Sequence, residues 1–400
     1  MQVTDSRKYI NNLTGVRAWF SIWIVLFHFN AAPLVRIPLF AVFIDRGHVA
    51  TDFFLILSGF VVSYIYFKKM SEIDAFDYAE FLLKRFARLY PLHLLTFLIM
   101  VLFYLGLLLV GHAPTDPNHF SKTSAVLNIL MIHSWSWLPL SWNFLSWSVS
   151  AEWFAYFFVF AFVLTQWRQL SQFMRALLVI TLYLLYATHI YDSYLPPRLT
   201  RMSFNFLFGT WIFHCLPSFK TVSQSFWRCL LVGIPAMVVV IIFRCEDNNL
   251  HLLISPLWGA FILALFHERG LSDLIFANVF VMRVGKISFS TYLLHGVLVK
   301  LLFYLQTSEL PFITPLHRIS PYVLLPIALV TTLAISNYIH HSFELPARDW
   351  TVKWGIRGLN ALKVWMNSQD INIRSFFSRP ALKKIIAELA VENVIPKEAV

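Results

Sequence analysis

The run LTGVRAWFSIWIVLFHFNAAPLV, Leu13 to Val35, decides the fold. Its ionisable side chains are Arg17 and His28 alone. A helix that crosses a bilayer needs ~20 mostly apolar residues. Nine further apolar runs follow: Phe53 to Phe67, Leu89 to Val110, Phe144 to Trp167, Ala176 to Tyr191, Met202 to Phe219, Cys229 to Phe243, Asn248 to His267, Ile287 to Ser308 and Ile319 to Phe343. The runs from Phe53 and Cys229 are short and are expected to borrow polar flanks or tilt little. Lipid offers no water to unpaired backbone groups, so a chain of this kind crosses as helices. The sequence therefore predicts an all-α membrane protein with about ten transmembrane helices.

Composition agrees. Hydrophobic residues make up 58% of the 400-residue chain and charged residues 13%, about half the ~25% of a soluble domain. A water-soluble globule and a disordered chain are both excluded. Cys215, Cys229 and Cys245 show neither disulfide nor zinc spacing. The net charge of +11 suits cytoplasmic loops and anionic lipid rather than nucleic acid. An even number of spans puts both termini on one side. With the termini cytoplasmic, the inner segments carry about twice the Lys and Arg of the outer ones. Two regions result: a membrane domain, 1–350, and a cytoplasmic tail, 351–400. In the tail, Leu359 to Met366 and Pro380 to Ala390 read either as amphipathic helices on the inner leaflet or as a solvated end. The outer loop Gly111 to Trp142 either lines an acceptor entrance or holds a plain aromatic belt.

Ionisable groups inside apolar runs are expensive and by default mark function. Arg17 and His28 are eleven residues apart, three helical turns plus about 20°, so they share a face about 16.5 Å apart along the axis. A snorkelling Arg with a bonded core His is the alternative. His48 and Asp52 share a face at i, i+4, although Asp52 equally suits a helix N-terminus. Gly59, in Leu57-Ser58-Gly59-Phe60, suits close helix packing. Arg85 and Arg88 offer two guanidinium forks to a phosphate-bearing ligand, or simply hold a loop inside. Glu152, in Ser146 to Trp153, needs a partner, either catalytic or a basic side chain of another helix. His295 in the ninth run reads most simply as a bonded core histidine. The usual phosphate-loop, His-Glu-x-x-His and nucleophile-elbow patterns are absent, and metal ligation is not indicated.

In this order the segments resemble the acyltransferase-3 family of integral membrane acyltransferases. The family's Arg-x10-His matches Arg17 and His28. Its Gly-x-x-x-Val-Asp-x-Phe-Phe-x-Leu-Ser-Gly-Phe block resembles Gly47 to Phe60, with Ala50, Thr51 and Leu55 as departures. Its Arg-x-x-Arg-x-Tyr-Pro block matches Arg85 to Pro91. Its Trp-Ser-Leu-Ser-Val-Glu-Trp block matches Trp147 to Trp153, with Val149 and Ala151 departing. Ser288 to His295, with Phe289 for Tyr, and the Glu-x-Pro turn Glu344 to Pro346 complete the set. The likeness runs from about Asn11 to Trp350, and the departures spare every Arg, His and Glu position.

The resemblance implies an O-acyltransferase of the bacterial cytoplasmic (inner) membrane. Acyl-CoA, most simply acetyl-CoA, is then the donor, and the acceptor is a hydroxyl of an envelope carbohydrate or another small molecule. Arg85 and Arg88, with Arg17, are expected to hold the donor's phosphates. His28 is expected to be the general base, with His48, Asp52 or Glu152 orienting it or relaying the proton. An acyl-enzyme on His28 or Ser148 is the competing mechanism. The rival class is a proton-coupled secondary transporter or an exporter of a glycan or small molecule, since buried His, Glu and Arg also build proton relays.

Overall fold

The computed structural model describes residues 3–32, 35–38, 40–67, 75–109, 111, 120–188, 194–245, 250–307 and 319–368. All regular structure among them is helical. Each of the ten apolar runs contains one main helix. These are α1 (Val3–Asn30), α2 (Ala50–Tyr66), α3 (Ala75–Leu109) and α4 (Trp147–Phe154, continued by a π turn Ala155–Val159 and by Phe160–Thr165). Then come α5 (Gln172–Thr188), α6 (Pro197–Cys215), α7 (Gln224–Arg244), α8 (Leu250–His267), α9 (Ser288–Thr307) and α10 (Pro321–Ile339). Five stretches are long and apolar enough to cross a membrane: Ala41–Tyr66, Ala75–Leu109, Phe144–Gln169, Gln224–Arg244 and Pro321–Met366. A sixth arises if Val279–Lys286 and Ser288–Tyr304, bent by 60°, form one span. α1 and α6 are less apolar: α1 opens on the polar stretch Thr4 to Lys8 and carries Arg17 and His28, and α6 carries Arg198, Arg201, Asn205 and His214.

α2 is the axis of the packing. One apolar cluster joins it to α1, α7 and α8, and a second joins it to α3, α4, α5 and α6. On the first side Phe20 of α1 stacks on Phe53, with ring centroids 3.9 Å apart, and Trp258 of α8 meets Phe20 edge-on at 4.8 Å. Such pairs add about 0.5–1.5 kcal/mol each beyond the area they bury. On the second side α2 and α6 touch backbone to backbone. A Cβ built on Gly59 would lie 2.0 Å from the carbonyl oxygen of Phe206, and one on Gly209 would lie 2.0 Å from that of Ile56. Gly59 thus serves the close packing that its lack of a side chain suggests. Asp52, in the first turn of α2, is fully buried and takes a bidentate ion pair from Arg201 in the second turn of α6, at 2.7 and 3.1 Å.

The end of the bundle departs from the sequence reading in one respect. Glu344 to Pro346, expected as a turn, is helical. α10 passes through a π turn, His340–Glu344, into α11 (Leu345–Ser368). Pro346 lies inside this continuous helix just past the π turn, where the i→i−4 ladder is already interrupted. α11 crosses the expected boundary at residue 350 and lies against the start of α3. Gly355 packs on Leu83, and Lys363 Nζ sits 5.2 Å from the ring centre of Phe76. Leu359 to Met366 belongs to α11, whose Trp350, Trp354 and Trp365 are exposed. The segment Pro380 to Ala390, and residues 112–119 of the loop Gly111 to Trp142, lie outside the described residues.

The loop after α8 is closed by Glu268. Its carboxylate accepts from the backbone N–H of Ser272 at 2.7 Å and of Leu271 at 3.2 Å, with Arg228 Nε at 3.4 Å. Burial pushes the carboxyl up, but these hydrogen bonds outweigh it and hold it below the usual carboxylate range.

Candidate active site

Two π turns shape the centre of the bundle, and such turns recur at functional sites because they re-aim side chains. In α4, Glu152 and Tyr156 stand one turn apart on one face. Glu152 accepts hydrogen bonds from the Tyr156 hydroxyl and from Ser58 Oγ of α2, the latter at 2.8 Å. The carbonyls of Tyr156 and Phe157 in the π turn take the hydroxyl of Tyr78 at 2.8 and 2.7 Å. In the second π turn Glu344 accepts from Ser290 Oγ of α9 and from His340 Nδ1, the latter at 2.9 Å.

Ser58, Glu152 and Tyr156 border a cavity of about 240 Å³ between α1, α2, α3, α4 and α9. Its polar lining includes Arg17, Arg85, Arg88, Ser58, Glu152 and Tyr292. Arg85 is 7% exposed and its Nε has no hydrogen-bond partner. Aromatic faces surround its guanidinium instead, with the ring centres of Tyr66, Tyr156 and Phe81 at 4.9, 5.4 and 5.5 Å. Among the described residues no carboxylate lies within ion-pair distance of Arg17, Arg85 or Arg88. Glu152 and Glu344 are within electrostatic reach of Arg17 and Arg88 but spend their hydrogen bonds on hydroxyls and an imidazole. Three guanidinium groups on a buried wall cost several kcal/mol if left uncompensated. The arrangement suits a multiply charged anion.

The cavity runs along the helices. Tyr64 and Ser288 line it near the end of α2 and the start of α9, at the level where Arg85 of α3 meets Tyr66; Thr51 and Ile24 line it toward the start of α2 and the end of α1. His28 stands one turn past Ile24, with Nδ1 2.9 Å from the Ile24 carbonyl oxygen. A carbonyl only accepts, so Nδ1 carries the hydrogen and Nε2 keeps its lone pair. Among the described residues that Nε2 has no hydrogen-bond partner. His295 of α9 approaches from the other side, its Nε2 3.3 Å from His28 Nδ1.

The structure thus brings Arg17, Arg85, Arg88 and Glu152 to one cavity and sets His28 just beyond its far end. His48 lies beside His28: its ring is 5.7 Å from that of Phe27 and it is within electrostatic reach of His28. Asp52 is not brought to His28 or His48. Arg201 and Asn205, the latter at 3.1 Å, occupy its carboxylate. No side-chain cap is formed at the start of α2 either. Arg17 and Glu152 face the same space without an ion pair. Sequence reasoning missed Tyr156, Ser58, Glu344 and Arg201. The i, i+4 spacing of Glu152 and Tyr156 was a usable signal, as were the motifs that hold Ser58 and Glu344; Arg201 had none.

A family model described as an acyltransferase domain, that of the acyltransferase-3 family, matches residues 10–341. The acyltransferase MdmB of Streptomyces mycarofaciens is 36% identical over 118 residues, 28% of this chain and 27% of that protein. Protein 2 in the picA locus of Rhizobium radiobacter is 39% identical over 74 residues, 18% of this chain and 38% of that protein. The chain therefore spans well under half the length of either relative. No solved structure matches.

Proposed function

We propose, from the premise that this chain belongs to the acyltransferase-3 family, that it transfers an acyl group from acyl-CoA to a hydroxyl. The observation that supports this reading best is the cavity with three unpaired guanidinium groups toward one end and an accessible imidazole nitrogen just past the other. Arg17 and His28 stand about 16.5 Å apart along α1, a distance that a pantetheine arm bridges. The donor's phosphates sit on Arg85 and Arg88, with Arg17 further along, and the thioester reaches toward His28. Acetyl-CoA is the simplest donor. The ten helices α1 to α10 cross the bacterial cytoplasmic membrane with both ends of the domain in the cytosol. The donor then enters from the cytosol, and an envelope carbohydrate or another small hydroxyl acceptor meets it from the outer side.

In the step itself His28 Nε2 takes the proton of the acceptor hydroxyl as its oxygen attacks the thioester carbon. The C–O bond forms, the C–S bond breaks, and the thiolate leaves with the electron pair. His28 then returns the proton to the thiolate, giving the ester and free coenzyme A. Glu152, held by Ser58 and Tyr156, and His48 are in place to orient water or relay a proton. Asp52 acts at a distance, through its pair with Arg201, by holding α2 against α6. In a direct transfer of this kind Ser148 carries no acyl group.

The test is acceptor-dependent release of thiol from acetyl-CoA by the purified protein. A transporter moves its cargo without consuming thioester. His28→Ala should lower release by about 10²–10⁴-fold, the usual weight of a general base, with expression and helix content unchanged. Normal release by that variant removes the base assignment.

A further inference from the structure

His295 is completely buried in α9, and the proposed reaction leaves it without a task. Its Nδ1 lies 3.0 Å from the carbonyl oxygen of Thr291. That oxygen accepts only, so Nδ1 of His295 carries a hydrogen and its Nε2, in the neutral ring, carries a lone pair. The lone pair faces His28 Nδ1 at 3.3 Å, with the ring centroids 5.1 Å apart. His28 Nδ1 is itself protonated by the same argument, since it meets the Ile24 carbonyl at 2.9 Å. Its single hydrogen is therefore shared between two acceptors, Ile24 O and His295 Nε2. The opposite assignment places a lone pair against a carbonyl oxygen at both rings, at about the cost of two lost hydrogen bonds.

We propose that His295 is the positioning residue for His28: it holds the Nδ1–H of His28, leaving Nε2 as the basic nitrogen, and stabilises the imidazolium formed when the acceptor's proton arrives. This inference rests on the acyl-transfer reading above. The role parallels that of the carboxylate behind the histidine of a hydrolase triad, with a neutral acceptor in its place. A neutral partner suits a proton that must be handed on. An ordinary thiolate, the conjugate base of a thiol of pKa ~8.5, binds a proton more tightly than an ordinary imidazole of pKa ~6.5. A carboxylate behind His28 would hold the imidazolium harder and oppose that return. The imidazole of His295 orients the base without adding a charge to the membrane interior.

The experiment compares four variants of the full-length protein in its own membranes: His295→Leu, His295→Gln, His28→Ala and the double variant His28→Ala/His295→Leu. The readouts are thiol release from acetyl-CoA and affinity for acetyl-CoA. His295→Leu fills the space and removes the acceptor. It should lower kcat by at least about tenfold, with KM for acetyl-CoA within about twofold of the parent. His295→Gln, whose side-chain oxygen can accept at the place of Nε2, should recover much of that loss. Leu at this position should add little to the defect of His28→Ala, because the two residues act as one unit. In ¹⁵N-histidine-labelled protein both rings should appear as Nδ1–H tautomers. Unchanged kcat in His295→Leu, equal loss in the Leu and Gln variants, or a Nε2–H tautomer at His28 would each overturn the proposal. If His28→Ala itself transfers normally, the base assignment fails first. If His28→Ala is inactive and His295→Leu is normal, only the role of His295 falls.

Discussion

Two sets of charges lie inside this bundle, and they are treated in opposite ways. Asp52 and Arg201 are matched atom for atom. Two hydrogen bonds join them, Asn205 supplies a third to the carboxylate, and the guanidinium rests 5.5 Å from the ring centre of Trp147. Among the described residues Arg17, Arg85 and Arg88 have no such match. They line a cavity, Arg85 backed by aromatic rings, together with Glu152, whose acceptor oxygen is given to Ser58 and Tyr156. A satisfied buried pair holds helices together; an unsatisfied one reserves its hydrogen bonds for something that arrives. The first set is the strut and the second the binding site.

The contrast can be broken from its structural side first. Asp52→Ala leaves Arg201 buried without a counter-ion and should cost about 3–5 kcal/mol of stability. Thermal unfolding in detergent should show the loss, and replacing Arg201 with Met in the same protein should restore most of it. The binding side should answer in reverse. Arg85→Ala with Arg88→Ala should leave the unfolding midpoint unchanged or raised, while weakening acetyl-CoA binding. Each charged hydrogen bond lost is worth about 1.5–3 kcal/mol, so calorimetry should record a drop of at least tenfold. Unchanged affinity would return both residues to a topological role.

Gly59→Ala tests the backbone contact that the strut maintains. Its new methyl group would meet the Phe206 carbonyl at 2.0 Å, so the α2–α6 crossing must open, at about 1–3 kcal/mol. The smallest effect concerns Glu268. Its folded-state pKa lies below the unfolded value of about 4.3. Its stabilising contribution is therefore present above that value and is lost as pH falls through the folded pKa. The difference in midpoint between the parent and Glu268→Gln should shrink on acidification through that window. A constant difference would contradict the hydrogen-bond account of this carboxylate.

Much of this was legible in the chain. Apolar run length located the ten main helices, because lipid-facing and core-facing positions both demand hydrocarbon. The expense of a buried charge singled out Arg17, His28, Arg85, Arg88 and Glu152, and the fold brings four of them to one cavity with His28 just past its far end. What could not be read was pairing across helices. Asp52 looked like a partner for His48 because i, i+4 spacing is visible within one helix, whereas Arg201, 149 positions later, is not. His295 read as a bonded core histidine for the same reason: its bond to Thr291 is local, and its contact with His28 spans 267 positions. The helical course of Glu344 to Pro346 was hidden because a π turn leaves no periodic signature in the residues that form it.

The proposed reaction depends on one donor molecule spanning from the guanidinium groups to the imidazole of His28. The most direct measurement is a structure of the full-length protein with a non-cleavable thioether analogue of acetyl-CoA. The phosphates should lie against Arg85 and Arg88, and the carbon that stands for the thioester carbonyl should come to about 3–4 Å from an acceptor oxygen or water held by His28 Nε2. An analogue bound elsewhere, or bound with its acyl end pointing away from His28, would contradict it.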